Sequence, residues 1–117
     1  MAKSKDFFFI KNYSSHGDMA INRHAFEDIA LNVIKKIKGV KPFNGQGASK
    51  SFKMYRPIVC NITKDNKVDL NIDISIKKSI DIKSTCIKIQ EEVNNALILS
   101  CETVPIKVNI NVANIEI

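Results

Sequence analysis

The 117-residue sequence has no tryptophan, three cysteines, three prolines, four glycines and two histidines. Cys60, Cys86 and Cys101 are odd in number and lack C-x-x-C spacing. Neither a disulfide framework nor a four-ligand zinc site is supported, and reduced, buried thiols are the expected state. Apolar runs are short: none exceeds four residues, the longest being Phe7 to Ile10 and Ala96 to Leu99. A membrane-spanning helix needs about 20. The N-terminus is charged, but the apolar stretch that follows is too short for a signal peptide, so a cytoplasmic address is expected. Arginine is scarce as well, with 16 Lys against Arg23 and Arg56 in a net charge of +6. Readers of nucleic acid favour the planar guanidinium fork. The excess of Lys, with 19 Ile and 12 Asn, is what AT-rich codons produce. The charge therefore permits an anionic partner without specifying one.

What is present is an ordinary globular balance, 44% hydrophobic and 26% charged, in a chain long enough for one core. Residues 1–16 form an N-terminal extension suited to an added edge strand, and 17–117 form a single domain. Within the extension, Phe7, Phe8, Phe9 and Ile10 either cover the core or dock a partner. Met19 to Ile21 predicts a short strand. Asn22 then suits the N-cap of a helix whose stripe is Phe26, Ile29, Ala30, Val33, Ile34 and Ile37, and Gly39 is placed to end it. Residues 41–55 have the composition of a loop. Ile58 to Ile62 and Val68 to Ile76 alternate strictly, predicting a hairpin with one buried and one wet face. A second helix is expected from near Ile82–Ser84 to about Leu99, with Asp81 or Ser84 as its cap. Its stripe is Ile82, Cys86, Ile89, Val93, Ala96 and Leu97. The last strand, Ile106 to Val112, loses its alternation at Ala113, where a bulge or the end of pairing is expected. The predicted order is β-α-β-β-α-β: a two-layer α+β domain, two helices on one face of a mixed, mostly antiparallel sheet.

Chemistry-bearing groups are few. His24 and Asp28 are four apart on the first helix and within hydrogen-bonding range, but a lone first-turn histidine reads as a surface residue. Gly45-Gln-Gly47-Ala-Ser-Lys50 runs from a helix into a strand and matches neither phosphate-loop pattern. The expected order invites comparison with RNA-recognition modules, which stack bases on sheet aromatics. Here the open-face positions Asn61, Asp69, Asn71, Asp73, Ser75, Asn109 and Asn111 hold no aromatic and include two carboxylates, so specific nucleic-acid reading is disfavoured. No catalytic, cofactor-binding or metal-ligating residue is indicated.

Three stretches together resemble the alkaline shock protein family of Gram-positive bacteria, small proteins of the envelope stress response. They are Ile21-Asn-Arg-His-Ala-Phe-Glu-Asp-Ile-Ala30 with Ile37-Lys-Gly-Val40; the strand Val68 to Ile76; and Ile89-Gln-Glu-Glu-Val93 with Ala96-Leu97 and Val108-Asn-Ile-Asn-Val112. The family is often acidic, unlike this chain, and the Phe-rich N-terminus and the loop after Val40 are this sequence's own. The resemblance implies a non-enzymatic cytoplasmic scaffold or adaptor, peripheral to the inner face of the membrane. A small membrane-anchored protein would hold it there, in envelope homeostasis with a link to lipid metabolism, and homo-oligomers are within the range of expectation. The expected interaction surface is Phe7, Phe8, Phe9, Ile10, Asn61, Asp69, Asn71, Asp73, Asn109 and Asn111. Two other readings stand beside it. One is an oligomeric, ferredoxin-like small-ligand sensor. The other is a weak polyanion binder using a basic rim of Lys50, Lys53, Arg56, Lys64, Lys67, Lys77, Lys78 and Lys83.

Overall fold

A computed structural model describes residues 6–43, 56–101 and 106–116. The elements run β1 (Phe7–Ser14), β2 (Gly17–Asn22), α1 (Arg23–Lys36), β3 (Val40–Pro42), β4 (Ile58–Ile62), β5 (Val68–Lys77), α2 (Ile82–Cys101) and β6 (Ile106–Glu116). This is the expected α+β architecture, with two differences in its strands. β1 is a strand within the N-terminal extension, but it pairs antiparallel with β2 in a separate two-stranded sheet, and β3 is additional, overlapping the stretch expected to be a loop. The predicted opening strand is therefore present but stands outside the main sheet. The Ser-Ser-His-Gly break becomes the β1–β2 turn, where Ser14 faces Gly17.

β5 organises the main sheet. One of its edges pairs antiparallel with β4, Ile72 to Val68 against Ile58 to Ile62, and then with β3, Ile76 to Ile74 against Val40 to Pro42. Its other edge pairs in parallel with β6 from Val68↔Ile106 onward. The register passes from Ile74↔Val112 to Ser75↔Asn114, which leaves Ala113 as the extra residue of a bulge at the position where the alternation breaks. The bulge returns Ile115 opposite Ile76.

Both helices cover the face carrying Ile58, Cys60, Ile62, Val68, Leu70, Ile72, Ile74 and Ile76, all buried, with Phe26, Ala30 and Ile34 from α1 and Ile89, Val93 and Leu97 from α2. Asn22 caps α1, its side-chain oxygen accepting from the His24 N–H at 2.8 Å. At α2 the choice between two caps resolves to Asp81, whose carboxylate accepts from the Ser84 N–H at 3.4 Å and hydroxyl at 2.6 Å. Beyond α1, Gly39 turns at φ +81°, and a Cβ there would stand 2.5 Å from Ile80 Cδ1. The backbone there favours glycine, and any larger residue would also have to displace the Ile80 side chain. Ile82, expected on the buried stripe, is exposed, because it lies in the first turn beyond the end of the core.

Candidate functional site

Period-two geometry divides the N-terminal aromatic patch. Phe8 is buried, its ring edge-on to Phe26 at a centroid distance of 6.0 Å, and Ile10 packs half-buried on the core. Phe8 is a core residue and Ile10 packs against the core, a correction to their expected place on an interaction surface. Phe7 and Phe9 point the other way, 41% and 44% exposed, with ring centroids 6.3 Å apart.

The hairpin that presents them is fastened from the β4–β5 turn. Asn66 adopts a left-handed conformation there (φ 60°), which Asn tolerates better than most residues. Its side-chain oxygen accepts from the Phe9 N–H at 2.9 Å, and its amide donates to the Phe9 carbonyl at 2.6 Å. One side chain thus satisfies both backbone groups that Phe9 turns away from β2. Arg23, at the start of α1, donates its backbone N–H to the Asp6 carbonyl at 2.8 Å and holds the start of β1.

The polar face of the main sheet is a ladder of paired side chains. Asn109 donates to Asn71 at 3.1 Å, and Asn111 donates to Asp73 at 3.2 Å, each rung joining register partners on β5 and β6. Asn61 stands opposite Asp69 across β4 and β5. These six residues share one face, as their alternation predicts, and the two rungs stiffen it.

A charged cluster on the α1 side went unrecognised in the sequence. Glu27 is buried, and its carboxylate accepts from the Cys60 N–H at 2.8 Å, from His24 Nδ1 at 2.9 Å and from Arg56 Nη2. Burial raises its pKa, but the Cys60 N–H, the His24 hydrogen bond and the Arg56 charge together outweigh burial and hold it below its ordinary value. His24 therefore pairs with Glu27 rather than with Asp28. The cluster borders a cleft of about 430 Å³ lined also by Asp28, Leu31 and Pro57. Both carboxylate oxygens are engaged as acceptors, so Glu27 serves as a fixed anionic post closing the free edge of β4. The available signal was its spacing: Glu27 lies three residues before Ala30 and seven before Ile34, on the buried stripe, where a carboxylate needs partners.

The thiols behave as core groups. Burial, followed by the negative charge of Glu27, pushes Cys60 up to about 12, and burial also raises Cys86. Among the described residues no cluster of His, Cys, Asp and Glu is arranged to hold a metal ion, and no helix is long and apolar enough to cross a membrane. The Gly45–Lys50 stretch, with Lys50 and Lys53 of the basic rim, lies outside the described residues. Arg56, expected on that rim, is bound to Glu27. Lys77 and Lys78 line a cleft of about 620 Å³ with Ser79 and Glu116. No protein-family model, no curated protein and no solved structure matches the chain.

Proposed function

We propose that this chain is a non-enzymatic scaffold or adaptor of the envelope-stress type, working in the cytoplasm at the inner face of the membrane through a small membrane-anchored protein partner. The observation that carries this reading is the Phe7–Phe9 pair. Two large, part-exposed aromatic rings stand on a strand fastened at Asp6 and at Phe9, which is the form of a preorganised apolar docking element. The partner chemistry it fits is an apolar cytoplasmic segment of a membrane protein. The ladder of Asn and Asp side chains on the sheet supplies a second, polar surface for a further partner, and the sequence resemblance to alkaline shock proteins points the same way.

The test is affinity capture on tagged full-length protein from solubilised membranes at low and high salt, beside Phe7→Ser/Phe9→Ser. One integral membrane protein, retained at high salt and lost with the double substitution, is the expected result. Capture that is unchanged by the substitution, or confined to anionic material removed by salt, overturns the reading.

A further inference from the structure

The two long edges of the main sheet are treated differently. On the β4 side, α1 lies alongside, and the Glu27 carboxylate consumes the outward Cys60 N–H. On the β6 side, no described element pairs with an 11-residue strand. An uncovered edge of that length is a template for strand addition.

The direction of its backbone groups follows from the hydrogen bonds of β5. Asp73 donates to Pro57 and accepts from Phe43, so its groups face the β3–β4 side. By alternation, Ile72 and Ile74 face β6. In a parallel ladder they bond to the residues flanking their register partners. Val108, Ile110 and Val112 therefore turn their N–H and C=O outward. Ile115 joins them, because the bulge places it opposite Ile76. Among these outward groups, the Val108 carbonyl accepts from Gln90 Nε2 at 3.1 Å.

We propose that β6 pairs antiparallel with β6 of a second copy of this chain, about a two-fold axis at Asn111, to form one continuous sheet across a homodimer. The sequence of the strand is self-complementary in that register. Asn111 faces its own counterpart and Ile110 faces Val112. With Ala113 as the extra residue on each strand, Asn109 faces Asn114, Val108 faces Ile115 and Lys107 faces Glu116. Every apolar residue meets an apolar one and every Asn meets an Asn, while the charges at the two ends are opposite in sign. With the Val108 carbonyl held by Gln90, the remaining outward groups of the four apolar positions supply about six further backbone hydrogen bonds. Glu116, now 2.8 Å from Lys41 within its own chain, would lie between two ammonium groups. The Asn111–Asp73 rung would continue across the axis into the second copy.

The helix above this edge carries an independent sign. Gln90 marks the side of α2 that overhangs β6. Ile87 and Ile98 lie on that same side at helical spacing, 46% and 44% exposed, and Ile115 at the strand's end is 47% exposed. A two-fold at Asn111 brings the two α2 helices together along this flank and covers these isoleucines. The assignment goes beyond the proposed scaffold role and stands apart from Phe7 and Phe9.

The test uses the full chain. Sedimentation velocity from about 1 μM to about 1 mM, the range of weak to moderate association, should show a monomer–dimer equilibrium. Asn111→Cys, in a chain carrying Cys86→Ser and Cys101→Ser, should form a disulfide-linked dimer under mild oxidation. Opposed Cα atoms at a non-hydrogen-bonded antiparallel pair stand about 4.5 Å apart, within disulfide reach. Asn109→Cys in the same background should not cross-link, its counterpart lying about 13 Å away along the strand. Lys107→Glu should weaken the dimer roughly tenfold by setting like charges opposite each other twice, and Lys107→Glu/Glu116→Lys should restore it to within about threefold. A chain monomeric throughout, equal cross-linking at positions 109 and 111, or no recovery in the charge swap overturns the assignment.

Discussion

Replacing Glu27 tests whether one buried carboxylate holds α1 to the edge of β4. In Glu27→Ala the Cys60 N–H loses its acceptor in the interior, which costs about 1–3 kcal/mol. Arg56 and His24 lose their partner too, but their side chains are 42% and 53% exposed and rehydrate, so their share is only about 0.5–1 kcal/mol. The sum, roughly 1.5–4 kcal/mol, corresponds to a fall in Tm of roughly 6–16 °C for a chain of this length. Glu27→Gln separates hydrogen bonding from charge, since the amide oxygen still accepts from Cys60. The folded pKa of Glu27 lies below its ordinary value of 4.5. Its ionised form therefore stabilises the fold fully above about pH 4.5, and that contribution is lost as pH falls through the folded pKa. Urea unfolding of both proteins from pH 7 down to about pH 3 should show a stability difference that is flat at neutral pH and shrinks in acid. A difference that stays constant to pH 3, or a Glu27→Ala protein within about 0.5 kcal/mol of the parent, would refute the reasoning.

Two further outcomes follow from the same geometry. Asn66→Gly keeps the left-handed turn but removes both hydrogen bonds to Phe9, so amide exchange across Phe7 to Ile10 should accelerate roughly five- to tenfold, and Asn66→Ala should add about 1 kcal/mol of backbone strain. Unchanged exchange in Asn66→Gly would mean the clamp does not hold the hairpin. With its pKa pushed up to about 12, Cys60 should react with iodoacetamide at pH 8 roughly a hundredfold more slowly in the folded chain than in urea, and equal rates would contradict its burial.

The features legible in the sequence are those that local spacing decides. The Asn22 cap, the buried stripes of both helices apart from Ile82, the β4–β5 hairpin and the break at Ala113 all depend on residues within a turn or two of one another, and each has its counterpart in the structure. What was not legible depends on which segments meet. Asn66 is readable as a turn residue, but its grip on Phe9 joins positions 57 apart. β3, three residues long, has no periodicity of its own and exists because β5 extends past the end of β4. The separation of Phe8 and Ile10 from Phe7 and Phe9 was implicit in strand alternation, but only the packing of Phe8 on Phe26 decides which pair is buried. Glu27 has a related history: its place on the α1 stripe is readable from spacing, but the partners that let a carboxylate stay there, Cys60 and Arg56, lie 33 and 29 residues away.

The placement of β5 bears on fidelity of assembly. Its register is fixed independently by three strands, two antiparallel on one side and one parallel on the other. A one-residue slip would turn Val68, Leu70, Ile72, Ile74 and Ile76 out of the interior and misalign all three neighbours at once. A shift by two residues keeps the apolar face inward but gives up pairing at the ends of β4 and β6. Because β3 and β4 share one edge of β5 and β6 takes the other, the register of all three is referred to the same five inward side chains.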